Sequence, residues 1–414
     1  MNNAHHFLPT TRREFLTWTG KGIGLLAFSQ FAPSFLVQST LAATPSPEKD
    51  RSILVLVQLA GGNDGLNTVI PYEDPEYYRL RPTIGIKKED ALRLDDTLGL
   101  HPSLIALHEL MKDGRASIIQ NVGYPNPNHS HFRSSEIWET GSDSNQFLPT
   151  GWIGRFLDNA CNGAPGEGSD PVAVHVTNEL PQSFLSGKPH STFGLRGGGG
   201  GNNKENLAFL EKLVKQDDHE ANANASFLRA TMMDALVTEQ RVQKVIGGYK
   251  PESVYPGNPF AQSLRNVASL IAAGMSTRVY FVSLGGFDTH SNQVNNHGNL
   301  LRTLSEGLAA FQKDLVAKKL DSQVLTMTFS EFGRRPNENE SRGTDHGTAA
   351  PLFVMGSNLK GSLHGTAPSL NLKKNQDVEF STDFRQVYAT VLDKWFACPT
   401  EQVLGKTYEP LKFI

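Results

Sequence analysis

Cysteine is almost absent: 414 residues carry two, Cys161 and Cys398. Two thiols cannot staple a domain of this size, and they lack the paired C-x-x-C spacing of a zinc ribbon. Neither sign of charge dominates. Thirty-nine Lys and Arg face 42 Asp and Glu, a net −3, so nucleic acid has no broad basic surface to meet. Past the N-terminus no run reaches the roughly 18 apolar residues that a membrane-spanning helix needs. With 38% hydrophobic and 20% charged residues, wholesale disorder and a collagen-like fibre are excluded as well. What remains is a folded chain, long enough for one large domain or two ordinary ones.

The N-terminus reads Thr11-Arg12-Arg13-Glu14-Phe15-Leu16, then an apolar stretch from Gly22 to Val37, then Ser39-Thr40-Leu41-Ala42-Ala43. Paired arginines, a mildly hydrophobic stretch and small residues in that order predict a twin-arginine signal peptide over residues 1–43, cleaved near Ala42 or Ala43. Ser29, Gln30 and Pro33 make the stretch a poor membrane anchor. The expected partner during export is the twin-arginine translocase, and the expected location is periplasmic or extracellular, without stable membrane insertion. Cleavage takes the net charge from −3 to −5.

Short, nearly continuous apolar runs mark strands buried on both faces, as in a parallel sheet. They are Ser52 to Ala60, Ala116 to Val122, a weaker Val172 to Val176, Arg278 to Leu284, Gln323 to Phe329, and Pro351 to Met355. Leu300, Leu304, Leu308, Phe311 and Leu315 form one stripe at helical period between two of these runs, a βαβ crossover. A terminal helix follows from Asp383, with Ser381 or Thr382 as its cap. The predicted class is α/β: an α/β/α sandwich with a mainly parallel sheet. Residues 160–260 hold five glycines at 197–201, Ala/Lys/Glu-rich helices and a proline-rich linker, and read as a helical insertion or cap in the domain 44–414.

Ligands of open α/β sheets bind outside the carboxyl ends of the strands. The first strand is followed by Gly61-Gly62-Asn63-Asp64-Gly65 and the fourth by Gly285-Gly286-Phe287-Asp288-Thr289-His290. The fifth is followed by Ser330-Glu331-Phe332-Gly333-Arg334, and the last is preceded by Thr344-Asp345-His346-Gly347. Asp64, Asp288, His290, Glu331, Asp345 and His346 therefore meet at one edge. Converging carboxylates repel unless a cation compensates them. Mixed Asp, Glu and His donors suit a divalent ion: zinc, manganese, magnesium or calcium. Each residue alone has a plain alternative, such as a turn for Asp64 or an ion pair with Arg334 or Arg335 for Glu331.

Asn128-His129-Ser130-His131-Phe132-Arg133 reads as a loop entering a helix. A hydroxyl there, at Ser130, sits well to attack phosphorus or sulfur beside a cation, with the helix N–H groups favouring the alkoxide. Ser130 also reads as a simple N-cap. Arg133, Arg334 and Arg335 have the guanidinium geometry that grips anionic oxygens.

The signal, L-A-G-G-N-D-G-L-N, S-H-F, G-G-F-D-T-H, and S-E-F-G-R followed by D-H together resemble the exported family called domain of unknown function 1501, over about residues 50–414. That resemblance implies the alkaline phosphatase and sulfatase superfamily, with an α/β/α sandwich, one or two divalent metals, and hydrolysis or transfer of phosphate or sulfate esters. Asp64 then matches the first-strand aspartate, a metal ligand, and Asp288 the aspartate of Asp-x-x-x-His. Four residues beyond Asp288 stands Asn292, so His290 is the nearest histidine. Asp345-His346-Gly347 matches either the strand-end Asp-His-Gly or the late His-Thr segment, in which case Glu331 replaces the strand-end aspartate. Trp138-Glu139-Thr140-Gly141 resembles the end of the nucleophile helix, which puts His131 at the nucleophile position and Ser130 one residue before it. The C/S-x-P-x-R pattern of formylglycine sulfatases does not occur. Two functions follow as expectations. One is an exported metal-dependent hydrolase acting on a small-molecule or polymeric ester. The other is a non-catalytic exported protein of the same fold that serves assembly or export of a cell-surface partner.

Overall fold

The computed structural model describes residues 52–160, 170–195 and 223–414, with the side chains of the helix that starts at Ala223 described from Ala235 onward. The signal segment 1–43, Cys161 and the glycine run 197–201 lie outside the described residues.

The apolar runs assemble into one nine-stranded sheet. Its main strands are β1 Ile53–Ala60, β2 Ala116–Gly123, β3 Ala173–Val176, β4 Thr192–Gly194, β5 Val279–Gly285, β6 Val324–Phe329 and β7 Ala350–Met355. Two-residue strands β8 Leu363–His364 and β9 Thr382–Asp383 both lie along β2. The order is β8-β2-β7-β6-β1-β5-β3-β4. Parallel pairing joins β6, β1, β5, β3 and β4. β7 runs antiparallel to both neighbours, β2 and β6. That single reversal matters for the site: β1, β2, β5 and β6 end at one edge, and β7 begins there.

The helices are α1 Pro75–Leu80, α2 Ile105–Lys112, α3 His131–Thr140, α4 Trp152–Ala160, α5 Ala223–Gly248, α6 Pro259–Ala272, α7 Gln293–Ala317, α8 Phe384–Thr390 and α9 Thr400–Leu404. Successive side chains of a strand point to opposite faces, and β1 uses both. Ile53, Val55, Val57 and Leu59 pack with Leu107 of α2, Leu264 of α6, and Leu304, Leu308 and Phe311 of α7. Leu54 and Leu56 pack with Ile137 of α3, Phe156 of α4 and Val387 of α8. Burying each such side chain contributes about 1.5–3 kcal/mol. The result is the expected α/β/α sandwich with a mainly parallel sheet. The helical stripe from Leu300 falls in α7, and Leu301, not Leu300, is its fully buried neighbour.

Two expectations need correction. Residues 160–260 are not an insertion throughout, because β3 and β4 extend the main sheet beyond β5. A strand of three residues such as β4 carries too little pattern to be read as one. The cap of α8 is Asp383 itself, which accepts from the Arg385 amide at 2.9 Å while Gln386 reaches back to the Asp383 amide. This reciprocal capping box outcompetes Ser381 and Thr382. Among the described residues no helix is long and apolar enough to cross a membrane.

Candidate metal centre at the strand ends

Four side chains converge where the parallel strands end. His131 Nε2 lies 3.6 Å from Asp288 Oδ2, His346 Nε2 lies 3.2 Å from Asp288 Oδ1, and His290 Nε2 lies 3.0 Å from that same oxygen. The Nε2 atoms of His290 and His346 are 2.9 Å apart. Asp288 and His290 follow β5, His346 precedes the antiparallel β7, and His131 is the first residue of α3, reached from β2.

Each imidazole is tied at its other nitrogen. His131 Nδ1 meets Glu331 Oε1 at 2.9 Å, His290 Nδ1 meets Asp345 Oδ1 at 3.2 Å, and His346 Nδ1 meets the His129 carbonyl at 2.7 Å. Carboxylate and carbonyl oxygens only accept, so all three Nδ1 atoms carry the proton. All three Nε2 atoms then face Asp288 and the cluster. Two lone pairs 2.9 Å apart repel unless a proton or a metal ion lies between them. This is how metal-binding histidines are held, with the remote nitrogen oriented by an acceptor behind it. His131, Asp288 and His346 each place one donor atom within 4.8 Å of the others, a spacing that an ion about 2.0–2.1 Å from its nitrogen ligands can bridge, and His290 adjoins them through Asp288 Oδ1 and His346 Nε2. The residues fit a divalent ion.

The surrounding backbone is locked. Arg334, 2% exposed, donates to the carbonyls of Gly61, Gly62, Thr344 and Phe287, and to Asp288 Oδ1 at 2.6 Å. Burial pushes the Asp288 carboxyl up, but the Arg334 guanidinium and the His346 bond outweigh it and hold its pKa at about 2. The Gly61 amide donates to Glu331 Oε1 at 2.8 Å. A Cβ on Gly61 would stand 2.3 Å from the Asp288 amide nitrogen, at a φ of +121° that L side chains rarely adopt. Glycine is required there because two strand-end loops touch backbone to backbone.

The expected residues sort accordingly. His131, Asp288, His290 and His346 are brought together. Glu331 and Asp345 stand behind them as acceptors and not beside them as donors to the ion. Asp64 is elsewhere, fully buried, with Arg81 donating to both oxygens at 2.6 and 2.9 Å and Gln293 adding a third bond. Burial raises the Asp64 carboxyl, yet Arg81 overrides it and the pKa is lowered. Its oxygens are taken, so it serves as a buried anchor. Ser130 is the exposed N-cap of α3 and its hydroxyl makes no cap bond; the residue that α3 delivers inward is His131. Arg133 turns to the carbonyls of Asp143, Ser144 and Gln146 and pairs with Glu136 at 2.7 Å. Arg335 faces Asp377 at 3.9 Å. Neither Arg133 nor Arg334 is free to hold a substrate.

Sequence reasoning missed Arg81 and Gln293, which no motif flags, and the His129 carbonyl, which is backbone. It also missed a buried histidine layer. His297 bonds Asn63 Oδ1 at 2.9 Å and His101 stacks edge-on against it. Burial lowers the pKa of His297 to about 3, and those of His101 and His175 to about 4. All three are neutral when folded, whereas the unfolded chain protonates them below about pH 6.5. The stability they confer is complete above that pH and is lost as pH falls from 6.5 toward 4, by about 1.4 kcal/mol per pH unit for each histidine. Urea midpoints measured across this window should fall steadily; a flat profile down to pH 4.5 would contradict the burial of these rings as neutral species.

Beside the cluster opens a cleft of about 820 Å³, with His131 on its wall.

Residues 202–404 match a family model described as "Protein of unknown function (DUF1501)". No curated protein matches the chain. Among solved structures, it is similar to the integral membrane lipooligosaccharide phosphoethanolamine transferase A of Neisseria meningitidis, at 10% identity over 94% of this chain and 64% of that one, TM-score 0.40. The zinc complex of the C-terminal periplasmic domain of EcEptC from Escherichia coli is 10% identical over 78% and 77%, TM-score 0.34. A protein in the alkaline phosphatase superfamily from Vibrio parahaemolyticus is 11% identical over 84% and 71%, TM-score 0.32.

Proposed function

We propose, from the match of residues 202–404 to the DUF1501 family model, that this chain is a metal-dependent hydrolase of phosphate or sulfate esters whose ion is held by His131, Asp288, His290 and His346. One observation carries the reading: three imidazoles, each fixed at Nδ1, turn Nε2 toward one ionised carboxylate. Three nitrogen donors favour zinc over manganese, magnesium and calcium, which prefer oxygen-rich shells. Bound there, a divalent ion supplies charge neutralisation for an anionic ester and lowers the pKa of a water.

The chain's own groups do the rest. Glu331, Asp345 and the His129 carbonyl hold the tautomers. Arg334 keeps Asp288 ionised and in place. α3 starts at His131, and the partial positive charge of a helix start favours an anion near it. An imidazole bound to Glu331 occupies the place where the family resemblance expects a nucleophile, which supports solvent, and not a side chain, as the source of the attacking oxygen. The arginine pair and small-residue site at the N-terminus support export by the twin-arginine translocase to the periplasm or beyond.

The test is elemental analysis of the folded chain purified without chelator, followed by turnover of aryl phosphates, phosphodiesters and sulfates. About one equivalent of zinc, with turnover lost on chelation and restored by that metal, is expected. A metal-free folded protein would overturn the assignment. A stoichiometric ion with no turnover of any ester would favour the assembly role instead.

A further inference from the structure

The cleft beside the cluster has a composition of its own. Phe132, the neighbour of His131, lines it with 90% of its surface exposed. Its ring is open to solvent and available to the face of a ligand in the cleft. Gln58 and Ser283 face the cleft from β1 and β5 and bond each other at 3.1 Å, with Gln58 Oε1 as acceptor, so its amide donors are directed elsewhere. Thr177, Asn178 and Gln182 line the side formed by the loop after β3. Glu136, Glu139 and Glu179 are the ionisable groups in it besides His131, and no lysine or arginine is among the described residues that line it. Glu139 accepts from the Ser183 amide at 2.9 Å.

We infer that this cleft receives a neutral polyhydroxylated group, the sugar part of an esterified glycan, with the only anionic charge of the substrate at the metal centre. The inference rests on the hydrolase reading for the ester and on the cleft for the sugar. Amides, hydroxyls and carboxylates match the alternating donors and acceptors of sugar hydroxyls, and the carboxylates accept from paired hydroxyls. The C–H face of a pyranose fits the electron-rich face of Phe132. Arg133 pairs with Glu136, but a polyanionic chain would still meet Glu139 and Glu179 with no lysine or arginine lining the cleft beside them, so heavily sulfated glycans, nucleotides and polyphosphate are disfavoured.

The experiment measures binding, not turnover, on the metal-loaded protein. Neutral tetrasaccharides of glucose and galactose in several linkages are titrated by calorimetry, beside a heparin tetrasaccharide and phosphocholine. At least one neutral tetrasaccharide should bind more tightly than either charged probe, and Phe132→Ala should weaken it at least tenfold with melting temperature and metal content unchanged. Phe132 is exposed, so the variant folds. Failure of every neutral glycan, tighter binding of heparin or phosphocholine, or indifference to Phe132→Ala would overturn the inference. The two readings fail separately. Glycan binding without ester turnover removes the hydrolase reading alone, and aryl-ester turnover without glycan binding removes this one alone.

Discussion

Replacing His346 or Asp288 with alanine should lower metal affinity by at least about a thousandfold, while Glu331→Gln should lower it by about 10–100-fold. The gradient follows from position. His346 Nε2 and the Asp288 carboxylate face the ion site, whereas Glu331 acts one bond away, through the Nδ1 proton of His131. Glu331→Gln can still accept that proton through its amide oxygen, but it loses the charge that makes the imidazole a stronger donor. Ser130→Ala is expected to leave affinity and turnover within a factor of about three, because its hydroxyl holds no partner in the helix cap. Competition with a chromophoric chelator measures the affinities. Equal affinity in the wild type and the Asp288→Ala variant would remove the centre from consideration.

The second large effect is on stability. Arg81→Met should destabilise the fold by about 3–5 kcal/mol, because it strands the Asp64 carboxylate in a site with no solvent exposure. Removing both charges, as in Asp64→Leu with Arg81→Met, should recover much of that loss, since desolvation then falls on neither. Arg81 also donates to the carbonyls of Arg335 and Pro336, each at 2.9 Å, and Gln293 links Asp64 to Thr344, two residues before His346. The single variant should therefore loosen the metal centre as well as the fold. Urea denaturation gives the first effect and chelator competition the second. A single variant as stable as the wild type would mean the pair contributes little.

Much of this was legible beforehand, for definable reasons. Strands buried on both faces leave continuous apolar runs, so β1, β5 and β6 stand out in the sequence. The rule that ligands gather at strand ends then selected Asp288, His290, Glu331 and His346 from a chain with 42 acidic residues. What it could not do was separate an aspartate that faces the cluster from one that faces a buried arginine. Asp64 and Arg81 lie 17 residues apart with no shared motif, and their pairing depends on how α1 returns to the sheet. The roles of Arg133 and Arg334 were lost in the same way: both guanidiniums are consumed by backbone carbonyls, which sequence does not place. His131 stood at a predicted nucleophile position, and only its bond to Glu331 shows which of its nitrogens is available.

The acceptors behind the three imidazoles also bear on the order of events in making the active protein. A cradle whose rings are already aimed by Glu331, Asp345 and a backbone carbonyl is finished before its ion arrives. On the proposed function the ion would be cargo for a completed fold and not a nucleus for folding, so loading could come last. The compartment in which the finished chain first met exchangeable metal, and the stock of ions held there, would then decide which element the protein carried.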